Sequence, residues 1–335
     1  MIDLNNKNIE RINTGRALCM IFVYIAHCNF YYQNHISPFY FIYKPFYLSF
    51  FFFLSGFLFF KDLDNFPYYK KIKNIACKLI WPAIVFPSLI WIPKAFAHSN
   101  EVSVYAYLID IFGGTAAWFV STLIIAQLLS LVLIKCFKTR LSVMLVISFV
   151  TMLSAFALHT IQPEPFPWYY KSGMIALFFL VLGGLTRKYY NFIARFISTK
   201  YLIISAVIYL GLMLYNYYYL GYFQAIMSVK YDNIPLGIVS NLLGIFFMLQ
   251  LSHALPIVKW IQYIGKNSLL FYFFGGGVPL VVGQLAMRFI PFDGYLMTAI
   301  VTMLCLALLF PISYVINRYL PWLLDFSLII KHIKS

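Results

Sequence analysis

The stretch LIISAVIYLGLMLYNYYYL, residues 202–220, decides the fold class. It is apolar on all sides, and its length matches the roughly 20 residues that an α-helix needs to cross the core of a bilayer. A strand of a membrane β-barrel would instead alternate apolar and polar side chains with a period of two. The stretch therefore predicts a transmembrane helix.

Comparable apolar runs recur along the 335 residues, of which 62% are hydrophobic and only 10% are charged. This composition lies far outside the range of soluble globular domains. It predicts an all-α, polytopic transmembrane helical bundle that forms a single integral-membrane domain over residues 1–335. We place about ten spans, at 15–32, 45–60, 76–93, 117–134, 141–159, 172–186, 201–220, 234–251, 268–287 and 295–316. A polar head precedes the first span and no small-residue cleavage site follows it, so we interpret it as an uncleaved span.

The formal net charge of +15 has an explanation in membrane topology. Ten crossings return both termini to one side, and with that side in the cytoplasm 20 of the 25 Lys and Arg residues are cytoplasmic. The acidic residues are divided evenly, and a skew confined to Lys and Arg is what the positive-inside rule describes. We therefore predict a multi-pass membrane protein with both termini cytoplasmic, lipids around it and no nucleic-acid partner.

Two ionisable residues occur within the first predicted span, GRALCMIFVYIAHCNFYY at residues 15–32. Arg16 and His27 are about three helical turns and about 16 Å apart, so both project from one face of the helix. Ionisable groups inside a membrane are costly and are functional candidates by default. Taken alone, Arg16 also fits an anchor that reaches the lipid headgroups, and His27 also fits a core histidine bonded to a neighbouring helix.

Five segments, in this order, resemble the acyltransferase-3 family of membrane O-acyltransferases. They are GRALCMIFVYIAH at 15–27, SFFFFLSGFLFFK at 49–61, KKIKNIACKLIWP at 70–82, WFVSTLIIAQLL at 118–129 and IGKNSLLFYFF at 264–274. The resemblance covers nearly the whole chain. Two departures stand out: Gly275 occupies a position where family members commonly have histidine, and Lys73 and Lys78 stand where arginine is frequent.

The resemblance implies a multi-pass protein of the bacterial inner membrane. It also implies transfer of an acyl group, usually acetyl, from cytoplasmic acyl-CoA to a hydroxyl, commonly on a cell-surface sugar. The expected donor substrate is acetyl-CoA, the expected acceptor is a glycan or lipid-linked sugar, and no cofactor is bound permanently. Histidine suits the role of general base because its pKa lies near neutrality, so we assign that role to His27. Arg16 is the second catalytic candidate, and Arg16, Lys73 and Lys78 are the candidates for binding the phosphates of the donor.

Four further residues are supporting candidates. Ser55 and Gly56 would let helices approach closely, and a packing role fits them as well as a catalytic one. Trp118 fits an interfacial anchor or a residue that lines the acceptor path, and His35 falls near the predicted outer end of the first helix. We interpret the remaining histidines as solvated or interfacial, namely His98, His159, His253 and His332. No HExxH motif or Cys-His set predicts a metal site.

Two other classes of membrane protein remain open. A transporter or exporter of a polysaccharide or small molecule would use a similar number of helices, with His27 and Arg16 as relay and substrate clamp. The absence of an internal repeat and of intramembrane acidic residues counts against it. A glycan polymerase would usually need a large outer loop, and the longest predicted outer loop covers only about residues 94–116.

Overall fold

The computed structural model of the protein describes residues 6–32, 38–97, 103–163, 167–289 and 294–334. The helices are α1 (Asn6–Tyr32), α2 (Pro38–Tyr43), α3 (Tyr47–Phe59), α4 (Tyr68–Ile75), α5 (Trp81–Ala97), α6 (Val104–Phe112), α7 (Trp118–Phe137), α8 (Leu141–Ile161), α9 (Tyr170–Lys188), α10 (Tyr190–Ile193), α11 (Thr199–Tyr215), α12 (Ile234–Ala254), α13 (Lys259–Lys266), α14 (Ser268–Phe274), α15 (Val278–Met287), α16 (Tyr295–Tyr319) and α17 (Phe326–Lys334). Wider π-helical turns cover Ala76–Ile80 and Asn216–Leu220, and 3₁₀ turns cover Pro167–Tyr169, Ala194–Phe196 and Pro321–Leu323. Strands β1 (Gln224–Ala225) and β2 (Lys230–Tyr231) form a short antiparallel hairpin.

The prediction of an all-α, multi-pass membrane fold is confirmed. Within the described ranges, eight helical segments are long and apolar enough to cross a membrane: Phe39–Phe59, Tyr68–Trp91, Trp118–Phe137, Leu141–Ile161, Pro167–Lys188, Thr199–Leu220, Ile234–Ala254 and Tyr295–Tyr319. A ninth is added when the bent pair Ser268–Phe274 and Val278–Ala286 counts as one span. Helix α1 is 27 residues long but stands outside this set, since Arg16, His27 and Asn29 interrupt its apolar run. Its role as a span, and the side of each terminus, stay predictions.

The span expected at 268–287 differs from a single straight helix. It is divided into α14 and α15, whose axes are bent by 58° at a break that contains Gly275, Gly276 and Gly277. Three successive glycines followed by Pro279 remove the helix propensity that would keep the segment continuous. Gly275, in this break, lies close to Val23, which is four residues before His27.

The contacts of the chain group it into two compact units. The first unit holds residues 1–19, 37–68 and 122–266, and the second holds residues 20–36, 69–121 and 267–335. Helix α1 therefore contributes its first part to one unit and its second part to the other. The single domain over residues 1–335 stays a prediction.

In the first unit, α9 packs between α3 and α8, while α12 packs against α3 and α11. The close approach of α3 and α9 depends on two glycines. A Cβ atom at Gly56 would overlap the backbone carbonyl of Leu180, and one at Gly183 would overlap that of Phe53. Small residues let helix backbones touch in this way, which is typical of membrane helix packing.

In the second unit, α5 packs against α6, and α16 contacts both α14 and α15. Aromatic side chains fill much of the space, with the rings of Phe86 and Phe273 stacked at 5.0 Å. The indole Nε1 of Trp91 donates a hydrogen bond of 3.0 Å to Asp110 Oδ2. The hydrogen bond satisfies the polar tip of an otherwise buried ring.

Candidate functional site

Helix α1 carries the two residues that the sequence singled out. It is continuous from Asn6 to Tyr32, so Arg16 and His27 project about 20° apart around its axis. Both side chains are partly buried. Arg16 belongs to the first unit and His27 to the second, and the surroundings of each are described in turn.

The second half of α1 is held against the end of α14. Tyr24 Oη donates a hydrogen bond of 2.6 Å to the carbonyl oxygen of Phe271. This carbonyl is one of the last four of α14, which lack partners inside the helix. The buried hydroxyl of Tyr24, which is three residues before His27, therefore gives a hydrogen-bond partner to a carbonyl at the end of α14.

The glycine break lies beside the face of α1 that carries His27. A Cβ atom at Gly275 would lie 3.6 Å from Val23 Cγ1 and 3.1 Å from the carbonyl oxygen of Tyr272. Val23 is four residues before His27 and so lies on the same face of α1. At Gly276 and Gly277, a Cβ atom would meet no heavy atom of the described residues within 4 Å. Gly275 thus lies along this face, and the two glycines that follow it adjoin open space.

Trp118 is linked to α14 through two other rings. The rings of Trp118 and Phe119 are 6.0 Å apart, and those of Phe119 and Tyr272 are 5.3 Å apart. The backbone nitrogen of Phe119 donates a hydrogen bond of 3.2 Å to Tyr272 Oη. A hydrogen bond and a ring contact therefore hold the start of α7 against α14, just before the glycine break.

The two candidate lysines of the second unit are exposed. Lys73 lies in α4, and Lys78 lies in the turn Ala76–Ile80 with its Nζ 3.3 Å from Asp325 Oδ2. Partial burial raises the pKa of the Asp325 carboxyl, but hydrogen bonds from Ser327 and the charge of Lys78 outweigh it and leave the pKa below its ordinary value. Lys78 therefore already has an anionic partner.

Arg16 differs from two other arginines of the first unit in its hydrogen bonding. Arg11 Nη1 donates to the carbonyl oxygens of Ser252 and Leu255 at the end of α12. Arg187 Nη1 donates to the Phe57 carbonyl at 3.2 Å, and its guanidinium lies 5.4 Å from the Phe57 ring. Arg16 Nε is shielded from solvent and makes no hydrogen bond to any residue that the structure describes. A buried donor without a described hydrogen-bond partner is uncommon and requires an explanation.

Ser55 and Gly56 are both buried in α3. The contact of Gly56 with the backbone of Leu180 gives this pair a helix-packing position in the first unit. Gly265, from the late motif, has a comparable position, because a Cβ atom there would overlap the carbonyl of Asn13 in α1. His35, the remaining supporting candidate, lies outside the described residues.

A polar cluster in the first unit was missed by the sequence analysis, which interpreted His253 as interfacial. His253 Nε2 lies 3.1 Å from Tyr190 Oη, and His253 Nδ1 lies 2.8 Å from the carbonyl oxygen of Leu249. Tyr190 Oη also donates to Asn8 Oδ1 at 3.3 Å. These residues line a cavity of about 20 Å³, large enough for one water molecule. The partners come from α1, α10 and α12, so no local spacing indicates the cluster.

The fold and these residues define a multi-pass membrane protein with ionisable groups inside its helices. A family model described as an acyltransferase domain matches residues 9–318, nearly the whole chain, and the protein therefore belongs to the acyltransferase-3 family. No curated protein and no solved structure matches the chain. The family assignment supports acyl transfer as the general activity.

Proposed function

We propose that the protein is an O-acetyltransferase of the bacterial inner membrane, with both termini in the cytoplasm. It moves an acetyl group from acetyl-CoA to a hydroxyl of a cell-surface polysaccharide or lipid-linked glycan. The observation that carries the proposal is the family match over residues 9–318. This range includes residues 9–32 of α1 and the single histidine of that helix, His27.

In the proposed reaction, His27 acts as the general base. It accepts the proton of the acceptor hydroxyl while the oxygen attacks the thioester carbonyl of acetyl-CoA. The tetrahedral intermediate then collapses, the carbon–sulfur bond breaks, and the proton passes from His27 to the departing thiolate. A neutral imidazole suits this exchange because its pKa lies close to the operating pH.

The glycine break supports this role for His27. Two substrates must meet beside the imidazole, and bulky side chains at positions 276 and 277 would occupy the space that the glycines leave open. Broken helices at membrane depth are tolerated where the break is buried in protein or lines a cavity. Trp118 would then border the acceptor path through its ring contacts, and His35 would assist near the predicted outer end of α1.

The donor's phosphates are assigned to Arg16, Lys73 and Lys78. The shielded Arg16 Nε, which has no described hydrogen-bond partner, supports an anion as its missing partner, since hydrogen bonds between charged groups are about twice as strong as neutral ones. Ser55 and Gly56 support the site indirectly, by holding α3 against α9. Lys78 would reach the donor only by sharing or releasing Asp325.

The test is the O-acyl content of surface glycan in three strains. One strain carries a gene deletion, the second is complemented with the wild type, and the third with His27→Gln at matched membrane expression. We expect ester to be lost in the deletion, restored by the wild type and absent with His27→Gln. Unchanged ester content together with altered glycan amount or export would instead identify a transporter. Full ester content with His27→Gln would remove His27 as the base.

A further inference from the structure

A cavity of about 260 Å³ lies in the first unit, apart from every residue assigned above. It is formed where α8 ends, where α9 begins and at the hairpin β1–β2. The residues that line it are His159, Pro163, Tyr169, Tyr170, Lys171, Ser172, Met227, Ser228, Val229 and Lys230. The two other cavities described in this unit, of about 20 and 10 Å³, are far smaller.

Basic and hydroxyl groups converge on this cavity. Lys171 is only 4% exposed, its Nζ donates to the carbonyl oxygen of Gln162, and it lies 5.9 Å from the centre of the Tyr170 ring. Lys230 in β2 also lines the cavity, where it is exposed and its Nζ lies 5.8 Å from the centre of the Phe223 ring. Ser172 Oγ donates a hydrogen bond of 3.0 Å to the Met227 carbonyl, which links α9 to the turn of the hairpin. Two lysines line this cavity and none of its described lining residues is acidic, so the charge of the cavity favours an anion.

The backbone around the cavity is strained. Trp168 and Tyr169 are consecutive residues with φ values of 63° and 51°, and Val229 has φ of 55°. Positive φ is rare outside glycine, and for a β-branched residue such as Val229 it is a genuine outlier. Such conformations are costly and cluster at ligand-binding and active sites. The strain is an observation independent of the charges, and it also indicates a binding site.

We propose that this cavity binds an anionic sugar residue of the acceptor glycan. The inference rests on the proposed function and names the acceptor more closely. Lys171 and Lys230 supply charge for a carboxylate or phosphate group, while Tyr169 and Tyr170 supply flat apolar surface for the ring of a sugar. The cavity of about 260 Å³ leaves room for a single sugar ring.

The position along the chain agrees with this ligand. The cavity lies between two pairs of successive membrane segments, α8 with α9 and α11 with α12. On the predicted topology, both connections are on the outer side of the membrane, where a surface glycan is found. A lipid headgroup would present the same negative charge, but a bare phosphate would leave much of the cavity and both tyrosine rings unused.

The test is direct binding to the purified full chain in nanodiscs, without acetyl-CoA. The probes are fluorescent tetragalacturonate, a neutral glucose tetrasaccharide of the same length, and glucose 1-phosphate, which separates phosphate from carboxylate recognition. We expect at least one anionic probe to bind about tenfold more tightly than the neutral one, with an affinity that falls as salt is added. Equal binding of charged and neutral probes, or no binding, would overturn the proposal.

Two variants locate the site. Ser228→Trp places a large ring into the cavity from an exposed position and should abolish anionic-probe binding, while Lys230→Gln should weaken it about three- to tenfold. Lys200→Gln removes an exposed lysine that does not line the cavity and should leave binding unchanged. Wild-type affinity in Ser228→Trp would overturn the proposal, as would competition by phosphatidylglycerol without competition by any sugar probe.

The binding result stands apart from the activity result. A protein that forms glycan ester in a His27-dependent manner but binds no anionic sugar refutes this cavity assignment alone. A protein that binds tetragalacturonate through this cavity but forms no ester refutes the acetyltransferase proposal, and the cavity would then belong to an anionic-glycan transporter.

Discussion

Two groups of glycines in this protein have opposite surroundings. In the first unit, Gly56 and Gly183 face backbone so closely that a single added carbon would overlap a carbonyl group. In the second unit, an added carbon at Gly276 or Gly277 would meet no described heavy atom within 4 Å. One group brings helices together, and the other keeps space free.

A glycine in a membrane helix can therefore either allow close helix packing or leave open space beside the helix. The sequence around a glycine does not distinguish these two roles. Both LSGF at 54–57 and FGGG at 274–277 look like small residues in apolar runs. The predictions below test this contrast in decreasing order of expected effect.

The largest effect is expected from Gly56→Ala and Gly183→Ala. Because the neighbour is backbone that cannot rotate away, each substitution should lower the free energy of unfolding by about 3 kcal/mol or more. The measurement is thermal unfolding in detergent together with the yield of monodisperse protein. Gly211→Ala is the matched control, since Gly211 lies in α11 with no described atom within 4 Å of an added Cβ. A normal melting temperature for Gly56→Ala would refute the close approach of α3 and α9.

Two arginines of the first unit differ in the same way, because Arg187 has described hydrogen-bond and ring contacts whereas Arg16 Nε has no described hydrogen-bond partner. Arg187→Gln removes a hydrogen bond to Phe57 and a ring contact, so it should destabilise the protein by about 2 kcal/mol. Arg16→Gln removes a group whose Nε has no described partner. It should therefore leave the melting temperature near wild type but raise KM for the proposed donor, acetyl-CoA, about tenfold. An unchanged KM for a folded Arg16→Gln enzyme would exclude Arg16 from the donor site.

Gly275→His should have a small effect on stability. A Cβ at this position lies at 3.1 Å from the nearest atom, the Tyr272 carbonyl oxygen, and the backbone is helical with φ of −63°. We expect a loss of less than about 1 kcal/mol. On the proposed function, we expect ester formation at or above the wild-type rate, because the added imidazole would lie along the face of α1 that carries His27. Gly276→Ala serves as the control for added volume alone. Severe unfolding of Gly275→His would show that this break is packed after all.

The smallest effect concerns the ion pair between the exposed Lys78 and the partly buried Asp325. The pKa of Asp325 is held below its ordinary value of 3.8, so its stabilising effect is fully present above about pH 4 and is lost as the pH falls further. Asp325→Asn should therefore melt slightly below wild type at neutral pH and converge with it in acid. Asp64→Asn, at an exposed aspartate, is the control. A difference that persists in acid would contradict an ionic origin.

Much of the fold follows from local sequence. The spans predicted at 117–134, 141–159 and 234–251 agree within a few residues with α7, α8 and α12, because continuous apolar runs of this length can satisfy their backbone in lipid only as helices. The bend at Gly275–Gly277 and the π-helical turn at Ala76–Ile80 were not predicted. Both depend on which neighbours satisfy the freed backbone groups, as Tyr24 does for Phe271, and these neighbours are distant in sequence.

The candidate site was predictable only in part, for the same reason. Arg16 and His27 were visible because ionisable residues are rare in apolar helices. The pairing of His253 with Tyr190 and the cavity between α8 and the hairpin are formed by segments that are far apart in the chain. The strained φ values at Tyr169 and Val229 carry no marker in the sequence, since neither residue is glycine.

The broken span also constrains how the protein is made. Helices α14 and α15 are about 10 and 15 Å long at about 1.5 Å per residue, so neither can cross a hydrocarbon core of about 30 Å alone. A nascent chain that ends after α15 presents the insertion machinery with two fragments and a glycine bend. Helix α16 contacts both fragments and is itself long and apolar enough to cross a membrane. Stable insertion of the segment beside His27 therefore awaits synthesis of α16, and a truncation before residue 295 should be degraded rather than accumulate in the membrane.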